Sequence, residues 1–295
     1  MKKGIDYIIL NVVAYFYIGI IAVLCVLPFI LLVSGSIQSE QSVIRHGYSL
    51  IPREIKPEAY VFIFRNPQKI IYSYGITVII TVIGTIAGLF ISSMTAYVLS
   101  RKELKYRNAL AFYLFFTTLF NAGLMPFYLL ISNYLKLRNT LAILILSGML
   151  NVIYIFIMRT YIMSSIPESI CESAKMDAAN GFYVFLKIVL PLMKPVIASI
   201  GLFTVLNYWN DWFTAMLFIS NQRLYPLQYL LYRMLAFASY TQKMLSEGGF
   251  VTEMQFPQET MKLAMTVVAT GPIILAYPFA QRYLISGMTI GAVKG

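Results

Sequence analysis

The side chains that can do chemistry are concentrated in two polar interruptions of a strongly apolar chain. The first, residues 165–191, carries Glu168, Glu172, Lys175 and Asp177. Charged groups at this position can hold a partner protein at a membrane surface, because an ion pair buried at an interface is costly to break. The alternative is a solvated loop in which Glu172 makes only an exposed pair with Lys175.

The 165–191 loop has the local signals of two short helices. Ser165 and Glu168 have the spacing of a capping box, and Pro167 suits a first helical turn. Asn180 and Gly181 then predict a left-handed stop. The apolar spacing after residue 181 predicts a second helix that ends near Pro191.

The second interruption is residues 207–212, with the sequence Asn-Tyr-Trp-Asn-Asp-Trp. Amides and a carboxylate can hydrogen-bond hydroxyl groups, and aromatic faces can pack on pyranose rings. Asn207 lies about 16 Å along a helix from Val196, which is close to mid-bilayer. The residues predicted to line a solute path are Asn207, Trp209, Asn210, Asp211 and Trp212, with Asn121 and Asn151 as further contributors. The alternative is that the two tryptophans belong to an interfacial aromatic belt.

The composition requires a membrane around these residues. Hydrophobic residues make up 59% of the 295 residues and charged residues 12%, and the mean hydropathy is +0.73. The formal net charge is +11, but the basic residues lie at the ends of apolar runs, where they act as topology signals and contact lipid headgroups. Nucleic acid is therefore not expected as a partner.

The apolar runs predict an all-α integral membrane protein with six transmembrane helices in a single domain over residues 1–295. The expected spans are 7–33, 70–99, 109–131, 140–161, a fifth that starts after Pro195, and 263–281. Gly84, Gly88, Ser92 and Ala96 form a stripe that lets another helix approach closely. Gly123 and Pro126 predict a break in the third span. Lys and Arg counts differ little between the two sides, so they do not fix the orientation.

Several classes of membrane protein are disfavoured by what the spans contain. Ion-coupled transport needs titratable groups inside the spans, and the chain offers essentially Asp211. His46 is the only histidine and lies outside the spans, so no catalytic residue and no metal site is expected. The chain has no Gly-Lys dipeptide and hence no phosphate-binding loop for ATP. The class of membrane protein that remains is a pore-forming subunit whose energy for transport comes from a partner protein.

The 165–191 loop resembles the EAA loop of ABC importer permeases. The matching positions are Glu172, Ala174, Asp177, Ala179, Phe185, Ile188, Leu190, Pro191 and Pro195. Two positions depart from the family pattern, with Ser173 in place of the first alanine and Ala178 in place of a glycine that relaxes the turn. We expect Asn180 and Gly181 to supply this turn instead.

Further segments are similar to the carbohydrate-uptake type 1 permeases, which are maltose-type inner-membrane components. These segments are 121–126, 139–141, 208–212, 225–228 and 287–295. They are most similar to the branch that imports complex oligosaccharides, including uronate-containing ones such as alginate or pectin fragments. The resemblance implies a type I ABC importer fold with a cytoplasmic coupling helix-turn-helix.

The resemblance also implies the partners and the location. A second homologous permease would complete a heterodimer, two copies of an ABC ATPase would bind ATP and Mg²⁺, and an extracytoplasmic solute-binding protein would deliver the oligosaccharide. This chain would bind no cofactor, would form half of the pore in lipid of the bacterial cytoplasmic (inner) membrane, and would have both termini in the cytoplasm.

The implied ATPase-coupling residues are Glu172, Ala174, Asp177, Ala179, Gly181, Phe185, Leu190 and Pro191. In relatives the glutamate of this motif pairs with an arginine of the ATPase. The alternative is an ABC importer permease for a non-sugar solute, such as a peptide or an osmolyte.

Overall fold

The computed structural model describes residues 5–120, 122–176, 178–246 and 257–289, and its regular secondary structure within these ranges is helical. The only β-type pairing in the described ranges is an isolated antiparallel bridge between Gln38 and Ile55. The expectation of an all-α chain is therefore confirmed for the residues that are described.

The first half of the chain contains two long helices separated by short ones. In chain order they are α1 (Ile5–Ser36), α2 (Glu40–His46), α3 (Glu58–Ile63), α4 (Pro67–Ser100), α5 (Arg107–Leu119) and α6 (Leu124–Leu129), which continues as a π-helical turn (Leu130–Tyr134).

The second half alternates short and long helices. They are α7 (Leu141–Met149), α8 (Val152–Ser165), α9 (Glu168–Met176), α10 (Gly181–Val184) with a π-helical turn (Phe185–Val189), α11 (Leu190–Leu192), α12 (Lys194–Asn210), α13 (Phe213–Phe218), a 3₁₀ turn (Gln222–Leu224), α14 (Leu227–Ser246) and α15 (Gln258–Thr289).

Two helical stretches among the described residues are long and apolar enough to cross a membrane as they stand, Ile9–Ser36 and α4. Three bent pairs also reach that length and composition when each pair is counted as one segment: α5 with α6 and its π-helical turn, α7 with α8, and Gly181–Leu192 with α12. The sixth expected span, 263–281, falls in α15 and extends past the residues whose side chains are described. The count of six stays a prediction.

The break in the third expected span is present, whereas a break in the fourth was not predicted. Gly123 has φ +88° and directly precedes α6. In the fourth span, Leu150 and Asn151 are extended, and α7 and α8 meet at 48°. The side chain of Asn151 accepts a hydrogen bond from the backbone N–H of Ile153 at 3.0 Å and caps α8. An asparagine can replace the lost helical hydrogen bonds in this way, which is why the span divides here.

One compact unit of the chain combines Met1–Pro67 with Leu231–Pro272. Within it, the carboxylate of Glu40 accepts hydrogen bonds from the backbone N–H groups of Glu259 and Thr260 at 2.8 and 2.9 Å and from the Thr260 hydroxyl at 2.8 Å. The first N–H groups of a helix lack helical partners and carry a partial positive charge. Glu40 therefore fixes the beginning of α15 against α2.

A second compact unit combines Gln68–Leu230 with Ile273–Gly295, and the single domain expected over the whole chain stays a prediction. The predicted small-residue stripe on α4 is buried in this unit. A Cβ atom on Gly84 would lie 2.6 Å from the hydroxyl oxygen of Tyr208, and one on Gly88 would lie 2.5 Å from the carbonyl oxygen of Met149. The stripe thus admits the close neighbours that its spacing predicted, and these belong to the same chain.

Candidate functional site

The 165–191 loop begins with an ion pair where the sequence predicts a capping box. Ser165 is the last residue of α8, and α9 starts at Glu168. The carboxylate of Glu168 accepts a hydrogen bond from Nζ of Lys102 at 2.6 Å. The beginning of α9 is therefore tied to the segment that follows α4. Both groups are largely exposed, so the ion pair contributes at most about 1 kcal/mol.

The turn between the two helices lies at Ala178, not at Asn180 and Gly181. Ala178 has φ +58°. The N–H of Ala179 donates to the carbonyl of Ala174 at 3.1 Å, which is the long hydrogen bond of a Schellman motif. Asn180 has φ −72° and uses its side chain to cap α10, accepting from the N–H of Tyr183 at 2.8 Å. Alanine thus adopts the conformation for which the family pattern has glycine.

The loop is anchored through its second helical half. Phe185 is buried against Tyr97 and Phe90, with ring centroids 5.5 and 5.9 Å apart. Of the predicted coupling residues, Glu172, Gly181 and Pro191 are exposed, Ala174, Ala179 and Leu190 are half-buried, Phe185 is buried, and Asp177 lies outside the described residues. These placements divide the set into residues that hold the loop and residues that present a surface.

That surface combines a carboxylate with apolar side chains. Glu172 is exposed, and Met176 one turn later is 88% exposed. Phe182 and Tyr183, in the first turn of α10, are both more than half exposed. Exposed large apolar side chains are places where lipid or another protein can bind. The arrangement is suited to a docking contact with an ion pair at its side.

A polar cavity of about 530 Å³ lies at the other end of α12. The residues that line it are Ser147, Gly148, Tyr154, Phe203, Leu206, Asn207, Asn210, Asp211, Trp212 and Phe213. Four of the predicted path residues are therefore brought together. Trp209 is buried outside this lining, with its ring centroid 6.3 Å from that of Tyr74. Asn151 caps α8, and Asn121 lies outside the described residues.

Hydrogen bonds within the protein orient the polar groups of the cavity. Asn210 donates from Nδ2 to the carbonyl of Leu206 at 2.9 Å and accepts at Oδ1 from Gln228 at 3.3 Å. One carboxylate oxygen of Asp211 accepts from the N–H of Thr214 at 3.0 Å. Among the described residues that line the cavity, Asp211 is the one with a charged side chain. The site is therefore suited to a hydroxylated solute that packs on aromatic faces.

On the α7 and α8 side of the cavity the sequence indicated only Asn151, which caps α8 and does not line the cavity. Ser147, Gly148 and Tyr154 reach it because the helix breaks between them. The available signal was the small pair at 147–148 followed by Asn151, within a run that is otherwise apolar. No three His, Cys, Asp or Glu side chains converge as metal ligands would in the part of the chain that the structure describes.

The left-handed turn at Ala178 gives a first testable prediction. Ala178→Gly should stabilise the protein by about 0.5 to 1 kcal/mol, because the left-handed conformation costs alanine about 1 to 2 kcal/mol and glycine less. Thermal unfolding of the purified protein in detergent measures the difference. The matched control is Ala179→Gly, where φ is not positive and the same change should destabilise. A lower unfolding temperature for Ala178→Gly would contradict the assignment of the turn.

Comparison with known proteins gives the family. Residues 84–290 match the family described as binding-protein-dependent transport system inner membrane component. The polygalacturonan/rhamnogalacturonan transport system permease protein YtcP of Bacillus subtilis is 38% identical over 97% of this chain and 98% of its own length. The arabinooligosaccharides transport system permease protein AraQ of Halalkalibacterium halodurans is 27% identical over 93% of each chain. A chain from the crystal structure of a bacterial ABC transporter involved in the import of the acidic polysaccharide alginate matches with a TM-score of 0.78 and 28% identity, over 96% of this chain and 99% of that one. The chain belongs to the family of inner membrane components of binding-protein-dependent transport systems.

Proposed function

We propose that this chain is a permease subunit of an ATP-driven ABC importer for oligosaccharides, and that it forms half of the translocation pore. The observation that carries the proposal is the match of 38% identity along 97% of the chain to a permease named for polygalacturonan/rhamnogalacturonan transport. The type I fold is supported by the alginate importer structure, whose chain is covered over 99% of its length. No catalytic residue is assigned to this chain.

The substrate is proposed to be a uronate-containing oligosaccharide. The names of the relatives include galacturonan, rhamnogalacturonan and alginate, which are acidic, as well as arabinooligosaccharides, which are not. The described lining of the polar cavity combines amides and aromatic faces with a single carboxylate, Asp211. A carboxylate repels an acidic group, so the cavity would bind the hydroxyl faces of the sugar. The uronate groups would then be recognised by another component.

We propose that the chain assembles with the partners that its family membership implies. A second homologous permease would complete the pore as a heterodimer, two copies of an ABC ATPase would bind ATP and Mg²⁺, and an extracytoplasmic solute-binding protein would deliver the sugar. The chain would cross the bacterial inner membrane six times with both termini in the cytoplasm. The 165–191 loop would then face the cytoplasm, where the ATPase docks on Glu172, Met176 and the first turn of α10.

Coupling between the two sites is proposed to act through α12. This helix has 17 residues and is therefore about 25 Å long. Met193, which immediately precedes it, is fully buried beside the loop, whereas Asn207 and Asn210 near its end line the polar cavity. A movement of the 165–191 loop would reach the cavity along one continuous helix, because packed helices move as rigid elements.

The proposed substrate class can be tested with the assembled importer. Together with the solute-binding protein, oligogalacturonate or oligoalginate should stimulate ATP hydrolysis several-fold, because only the correct sugar closes the binding protein on the permeases. Maltooligosaccharides of equal length are the neutral control. Stimulation by a peptide or an osmolyte, with none by any sugar, would favour the alternative solute classes instead.

A second test addresses the polar cavity. Asn207→Leu should lower the rate of uptake about threefold to tenfold while basal ATP hydrolysis and assembly are kept, since one hydrogen bond to a sugar hydroxyl is lost. Uptake of labelled oligosaccharide into proteoliposomes is the measurement. Asn133→Leu, at an exposed position in the π-helical turn after α6, is the matched control. Equal uptake by both variants would show that the solute path does not run through this cavity.

The third test addresses coupling at Glu172. Glu172→Ala should weaken ATPase docking by about 3 to 5 kcal/mol and abolish sugar-stimulated hydrolysis, because an arginine of the ATPase would lose its buried partner. Co-purification of the ATPase and hydrolysis rates report the two effects. Ser173→Ala changes the adjacent exposed position to the family residue and should have little effect. Unaltered docking by Glu172→Ala would leave a solvated loop, with no ATPase contact at Glu172, as the better interpretation.

A further inference from the structure

A second cavity, of about 410 Å³, lies where α4, α8 and the beginning of α5 come together. Its cationic lining consists of Arg101, Lys102 and Arg107, the residues that follow α4 or open α5. Four residues with hydroxyl groups line it as well, Tyr97 and Ser100 in α4 and Ser164 and Ser165 at the end of α8. The cavity therefore collects several hydrogen-bond donors at the ends of three apolar helices. Glu172 does not line it, and it shares no lining residue with the polar cavity at the end of α12.

The charges in this cavity favour an anion. Lys102 is paired with Glu168 at 2.6 Å, so Arg101 and Arg107 supply the positive charge that this pair does not neutralise. The guanidinium group of Arg101 is held over the ring of Tyr97 at 4.5 Å and donates to its hydroxyl at 2.8 Å. A guanidinium group fixed in this way keeps further N–H donors, and its planar fork matches the oxygens of a phosphate group.

Much of the remaining lining is apolar, apart from the hydroxyl groups of Tyr97 and Ser100. Ile162, Ile166 and Val189 are buried residues at its wall, and Met163 is 58% exposed. A ligand that carries a phosphate group together with hydrocarbon chains fits this lining, because the phosphate faces the arginines and the chains pass the exposed side chain of Met163. Basic pockets at the ends of membrane helices are the places where anionic headgroups bind.

We propose that this cavity binds the phosphate group of an anionic phospholipid, held by Arg101 and Arg107. Cys171 and Glu168 on α9 also line the cavity, so the headgroup contacts the first helix of the 165–191 loop. The bound lipid therefore contacts α9 on the side of the buried Cys171, whereas Glu172 is exposed and does not line the cavity. Lipid composition is thereby linked to the position of α9.

Retention of phosphatidylglycerol by the assembled importer tests the proposal. The complex is reconstituted in nanodiscs of phosphatidylcholine with or without phosphatidylglycerol, and native mass spectrometry measures the phosphatidylglycerol that remains bound. Each arginine replaced by glutamine should reduce retention about fivefold, and Arg101→Gln with Arg107→Gln about 25-fold. The control pair is Lys136→Gln with Arg138→Gln, which removes two charges from the loop before α7, outside this cavity.

The outcomes separate the lipid from other sources of phosphate. Retention that is unchanged in the double arginine variant, or reduced equally in the control pair, overturns the proposal. Displacement of the lipid by inorganic phosphate supports phosphate recognition and makes free phosphate a second source, whereas retention in its presence assigns the site to the lipid. If the double variant does not assemble with the ATPase, Arg107→Lys keeps the charge without the fork and should retain an intermediate amount.

Discussion

The contact on which the second compact unit depends is the insertion of the Tyr208 ring between two glycines. Gly84 on α4 and Gly148 on α7 leave the space, and a Cβ atom on Gly148 would lie 3.0 Å from the ring. The hydroxyl of Tyr208 donates to the carbonyl of Ile145, so the ring is fixed at both ends. Because Asn207 precedes this tyrosine and Gly148 borders the polar cavity, the position of the cavity follows from the same contact.

The same helix relates this contact to the 165–191 loop. α12 follows α11 directly, and the segment Gly181–Leu192 meets it at 80°. Phe185 and Met193, both buried, hold this bend in the hydrophobic core. A sharp bend that is packed on the inside transmits displacement instead of absorbing it, since a close-packed interior resists compression. The loop and the polar cavity therefore lie at the two ends of the segment that runs from α10 through α12.

The acidic and the basic side chains have different structural roles. The carboxylate of Glu40 caps the beginning of α15 in the first compact unit, and that of Asp211 accepts a hydrogen bond from the N–H of Thr214 in the first turn of α13, beside the polar cavity. The cationic residues collect instead at helix ends, where Arg101 and Arg107 border the second cavity. Acidic sugars and anionic lipids would thus meet different surfaces. This separation is consistent with a pore that does not trap its substrate by charge, because a tightly held ion would leave slowly.

The sequence by itself determined the helical membrane class, the position of the 165–191 loop and the break at Gly123, since these follow from hydropathy and from local turn chemistry. Tertiary structure decided three further features. The turn lies at Ala178, since Asn180 instead caps α10 in a segment that the buried Phe185 holds against Tyr97. Trp212 lines the polar cavity while Trp209 packs on Tyr74, a choice of helix face that periodicity does not fix. The cavity itself exists because α7 and α8 diverge at the break that Asn151 caps, and because α12 packs beside that break with Tyr208 against Gly84 and Gly148.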